Sequence, residues 1–158
     1  MLPLNKTGNW LLQWQALEPW ERRLLADFAV LLPLIWLGLR LLSFKRVSRF
    51  AQTEIQTSSI PRLPCGYQAY DYAQRCAELT AIAARHGLYR ANCLHQALVL
   101  CRVLRRKGLS AQLRVGVKPQ VRTFEAHAWV ELDNQVLGRS LNEYLPFSQL
   151  GRAGESEA

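Results

Sequence analysis

Two side chains in this sequence, Cys93 and His127, are of the types that thiol catalysis requires. That chemistry needs a cysteine that is partly thiolate at neutral pH and a base to handle its proton. Asn92 is a good helix N-cap, and Leu94, Ala97, Leu98, Cys101 and Leu104 form an apolar stripe after it, so a helix begins at Cys93. There the unpaired backbone N–H groups and the positive end of the helix dipole favour a thiolate and can help hold an oxyanion. The competing reading is a small apolar residue at a helix start, since free cysteines are usually buried packing residues.

The other histidines differ in context. His86 closes a helix, where its charge suits the C-terminal dipole. His95 lies two residues past Cys93, about 200° round a helix, and points away from the thiol. His127 sits in the alternating stretch AHAWVEL, where an imidazole among apolar neighbours needs a polar partner. A lone strand histidine is more often structural than catalytic; a helix-start cysteine upstream shifts that balance. Cys76 and Cys101 fall on the apolar faces of helices and Cys65 at the end of a linker, so all three read as packing. No C-x-x-C pair exists, which argues against a metal site or redox motif, and no cofactor is implied.

Around these residues stands a chain of 158 residues, one domain's worth, with 49% apolar and 20% charged residues. That composition excludes a disordered or fibrous protein. The 20 Lys and Arg against 12 Asp and Glu give +8, which favours an acidic partner, whether peptide, nucleic acid or anionic lipid. The start, MLPLNKTGNW, lacks the ordered parts of a signal peptide, so the compartment reads as reducing cytoplasm and the thiols as free. Residues 28–39, FAVLLPLIWLGL, are uncharged but short of the roughly 20 apolar residues of a membrane span. A buried helix is the expectation; Arg40, Lys45, Arg46 and Arg49 keep peripheral membrane contact as an alternative.

The positioning elements follow from periodicity. Residues 1–50 form a helical region in which Pro19 can open a helix and Pro33 should kink or divide it into two short ones. Residues 51–64, AQTEIQTSSIPRLP, read as a linker. Residues 67–86 repeat apolar positions at helical spacing and Gly87 ends them, then the Cys93 helix runs to Arg105-Arg106-Lys107-Gly108. Leu113, Val115 and Val117 alternate as a strand, 118–125 is a loop, and 126–132 alternates again with His127, Trp129 and Glu131 on one face. Asp133-Asn134 signals a hairpin returning over 135–140. The five tryptophans suit core packing better than a peptide groove.

The segment RANCLHQALVLCRVLRRKGLSAQLRVGV followed by FEAHAWVEL resembles the transglutaminase-like leader peptidases of lasso-peptide biosynthesis. The likeness spans roughly residues 84–147 and rests on the Asn-Cys-Leu helix start, the basic helix end before Gly108, the short strand and the Ala-His-Ala-Trp-Val-Glu strand. It implies an α+β fold: an N-terminal helical segment, then a papain-like core over 65–150 whose small antiparallel sheet packs on the catalytic helix, and a disordered tail over 151–158. It also implies a cysteine peptidase, with Cys93 as nucleophile and His127 as general base, cutting the leader from a ribosomally made precursor peptide. A separate leader-recognition protein would hold the leader, an ATP-using lasso cyclase would take the core, and no nucleic acid, metal or cofactor is involved.

The resemblance breaks at the third residue. Family members place an aspartate about a dozen residues past the histidine, and here that count reaches Arg139. Glu131 is about 13 Å from His127 along the strand, and Asp133 is farther. Ser140 or Asn142 on the returning strand can come beside the ring, and a neutral amide can orient a catalytic histidine, so Asn142 is the chosen third member. An amidase of another substrate and a peptide- or membrane-binding scaffold remain open.

Overall fold

Glu18, Pro19 and Glu21 start the first helix as their types suggest. Pro19 occupies the first helical position, and the Glu21 carboxylate reaches back to accept the Glu18 backbone N–H at 2.8 Å. This helix, α1 (Pro19–Leu41), runs unbroken through Pro33, where the sequence predicts a division. A proline inside a helix costs about 3 kcal/mol. Leu24, Phe28, Leu32 and Ile35 nevertheless form one buried stripe across it, and burying four such side chains is worth about 6–12 kcal/mol. Packing therefore overrides the breaker. The computed structural model describes residues 16–53, 63–87, 91–117, 126–138 and 145–146.

After a turn at Leu42 and Ser43 comes α2 (Phe44–Gln52), which buries Val47 and Ala51. The next helix, α3 (Ala69–His86), buries Tyr72, Ala73, Cys76 and Leu79 and stops at Gly87 as expected. Trp20 of α1 packs on Tyr67 and Tyr72 at ring separations of 5.1 and 5.3 Å, a core use of that tryptophan. The expected linker falls largely on 54–62, and the expected tail is 151–158; both lie outside the described residues.

The fourth helix, α4 (Cys93–Arg106), is the centre of the molecule. Leu98, Cys101 and Leu104 have no exposed surface, and the helix packs on α1, α2 and α3 and on the sheet. Gly108, at φ 84°, turns the chain out of it with its N–H donating to Arg105 O at 3.0 Å.

The sheet is antiparallel in the order β3-β2-β1-β4. Its strands are β1 (Gln112–Val117), β2 (Ala126–Leu132), β3 (Gln135–Val136) and β4 (Leu145–Pro146). Asp133 and Asn134 take φ of 49° and 64°, the two left-handed positions of a type I′ hairpin. The returning strand is shorter than the sequence predicts. Leu137 still donates to Val130 O at 2.9 Å, but Gly138, at φ 87°, gives its backbone to the Gln74 amide. Its N–H donates to Gln74 Oε1 at 3.0 Å, and Gln74 Nε2 donates to its carbonyl at 3.3 Å. A helix residue 64 positions away thus ends the ladder. The pairing of β4 with β1 has no sequence signal. The α+β class and the sheet packed on the Cys93 helix are as expected.

Candidate active site

Cys93 is the first residue of α4 and is half-buried. Asn92 caps the helix as its type predicts, accepting the His95 backbone N–H on Oδ1 at 3.1 Å. The same oxygen takes a close contact from His95 Nδ1, so the His95 ring turns back toward the cap. Gln96 Nε2 donates to Ala91 O at 2.9 Å and ties the incoming chain to the helix. Cys93 is therefore held at a tip where backbone amides lacking intrahelical acceptors gather. Asn92→Ala is expected to cost about 1 kcal/mol, read as a lower urea midpoint; an unchanged midpoint would mean the cap is not holding this helix.

His127 lies on the sheet that packs against α4. The turn at Gly108 leads from α4 into β1, and Ala111 O, just before β1, accepts from Cys101 Sγ at 3.6 Å. His127 is the second residue of β2 and pairs with Gly116, which offers no side chain to cover the ring from β1.

Their faces differ. Ala128, Val130 and Leu132 join the core together with Leu113 and Val115, so alternation sets His127 on the other face with Trp129 and Glu131. Glu131 is fully engaged on its own, accepting from Arg114 Nε at 2.9 Å and Trp129 Nε1 at 3.0 Å. It is no partner for His127, as its distance along the strand suggested. Asp133 is exposed in the turn. Asn142, like Ser140 and Arg139, lies outside the described residues. Gln74, which holds the Gly138 backbone, and Gln96, which holds Ala91 just before Cys93, were missed by sequence reasoning. Glutamines on helix faces carry no local signal of long-range backbone partners.

Electrostatics distinguish the thiols. All four cysteines are free. Burial pushes Cys76 up to about 12 and Cys101 up to about 11, so neither forms a thiolate near neutrality, and both are packing residues as read from the sequence. Desolvation lowers the pKa of His127, and of His95, below the ordinary 6.5. With a depressed folded pKa the unfolded chain binds more protons, so both groups contribute stability that is present above pH 6.5 and lost as pH falls through the depressed values. An NMR titration of the His127 ring is expected to give a midpoint below 6.5; a midpoint above it would mean an imidazolium held by an anion. Among the described residues no group of His, Cys, Asp and Glu gathers in a way that could hold a metal ion.

A helix that starts at a capped cysteine and packs on an antiparallel sheet whose second strand carries a histidine is an arrangement of the cysteine-peptidase-type α+β kind. The chain belongs to the transglutaminase-like superfamily, whose family model matches residues 34–152. The match takes in the last turns of α1, all of α2 and everything from α3 to β4. No curated protein and no solved structure matches the chain.

Proposed function

We propose that this protein is a cysteine peptidase that removes the leader from a ribosomally made precursor in lasso-peptide maturation. The observation that supports the reading is Cys93, half-buried at the Asn92-capped tip of α4, the helix against which the sheet carrying His127 packs. Cys93 Sγ attacks the scissile carbonyl while His127 takes the thiol proton. The C–N bond breaks as His127 returns that proton to the leaving amine, and water, deprotonated by His127, releases the acyl group from sulfur. The amides of the first turn of α4 stabilise the oxyanion, and Asn142 orients the imidazole. A separate recognition protein presents the leader, an ATP-using cyclase takes the released core, and the charge of +8 suits an acidic leader.

The test is mass spectrometry of a precursor peptide incubated with this protein and the leader-recognition partner. One cut at the leader–core junction, absent with Cys93→Ala, is the expected result; a precursor bound but left intact would replace the peptidase by a scaffold. The scaffold reading has one observation in its favour, the position of His127 on the face of the sheet away from α4. Cleavage of unrelated amides but not of the precursor would leave a transglutaminase-like amidase of other substrate.

A further inference from the structure

We propose that the outward face of α1, with the basic α2 that follows it, docks this protein on an anionic lipid surface. α1 has two apolar stripes. The inner one, Leu24, Phe28, Leu32 and Ile35, is core. The outer one, Val30, Leu34, Leu37 and Leu41, follows helical spacing on the opposite side and is 60%, 56%, 43% and 71% exposed. Leu42 and Phe44 continue it through the turn, both about half exposed. An exposed apolar run of this size marks an interaction surface.

Charge selects the occupant. From residue 28 to residue 53 the chain contains no Asp or Glu, while Arg40, Lys45, Arg46 and Arg49 lie within and just after the apolar stripe. Arg40 lies over the Trp36 ring at 5.6 Å, holding a cation beside an amphipathic indole at the edge of the stripe. Lys45, Ser48, Arg49, Gln52 and Thr53 line a shallow concavity on α2, where Lys45 and Arg49 supply cations suited to a phosphate group. Apolar side chains bordered by cations match acyl chains bordered by phosphates. A second copy in the same orientation would bring like charges together.

The helix lies on the surface and does not cross it. With 23 residues and an 18-residue window of mean hydropathy 1.9, α1 is long and apolar enough to span. Its inner stripe, however, packs with α3 and α4, and a crossing would strip that burial from the core. Docking by the outer stripe leaves the core and Cys93 undisturbed.

Vesicle sedimentation tests this with the full chain. It should pellet with phosphatidylcholine vesicles containing phosphatidylglycerol, not with phosphatidylcholine alone, and release as salt rises. Leu34→Asp with Leu37→Asp should cut binding about tenfold or more, and Lys45→Glu with Arg49→Glu should remove the preference for anionic lipid. All four positions are at the surface, so both variants should melt as the wild type does. Failure of the wild type to pellet, or pelleting unaffected by either pair of substitutions, overturns the proposal. So does a dimer by light scattering that Leu34→Asp dissociates, because the stripe then belongs to a second copy. Precursor cleavage in solution does not enter these readouts, so either reading can fail alone.

Discussion

Cys93→Ala is expected to lower kcat for precursor cleavage by about 10^4-fold or more, with KM little changed, because the nucleophile is removed while the binding surface stays. No other thiol can substitute. Cys76 and Cys101 are buried and held as neutral thiols by desolvation, with pKa values pushed up to about 12 and about 11. Cys65 is exposed, but it lies on the segment before α3, not at a helix start. Iodoacetamide should therefore label Cys93 and Cys65 in the folded protein and spare Cys76 and Cys101, and loss of activity should track modification of Cys93. His127→Ala should lower kcat by about 10^3-fold or more. Turnover of Cys93→Ala within tenfold of wild type would remove thiol catalysis from this protein.

The parts of this site that were legible in the sequence are those fixed by neighbours close along the chain. Asn92 caps the helix it precedes, and the stripe from Leu94 to Leu104 packs as its period requires. Asp133 and Asn134 adopt the left-handed conformations that a two-residue hairpin needs. Even the face of His127 was legible, since alternation with Trp129 and Glu131 is a local property of a strand. Local pattern could not weigh Pro33 against burial of Phe28 and Leu32 by partners on α3 and α4. Nor could it see that Gln74 would capture Gly138 and cut the returning strand after Leu137, since the bond joins residues 64 apart. The short strand β4 owes its pairing to β1 and not to its own two residues.

Phe28→Ala is expected to destabilise the protein by about 3–5 kcal/mol, although Phe28 lies outside the residues matched by the family model and far along the chain from Cys93. The side chain has no exposed surface and belongs to the same cluster as Leu79 of α3 and Leu98 of α4. Truncating it loses the transfer of an aromatic ring and leaves a cavity beneath the helix that carries the thiol. Total stability for a domain is about 5–15 kcal/mol, so the loss takes a large fraction of it. A second tie holds α1 in place, the Arg75 Nε to Glu21 Oε1 bond at 2.6 Å, with the Glu21 carboxylate nearly buried. Urea unfolding should show a lower midpoint with the slope retained, and Val30→Ala on the outer face of the same helix should fall within about 0.5 kcal/mol of wild type. A cost below about 1 kcal/mol for Phe28→Ala would make α1 an appendage of the domain, because the mean for ordinary substitutions is already near that value. A full cost would make it a structural wall of the transglutaminase-like domain, coupling whatever binds its outer face to the helix that begins at Cys93.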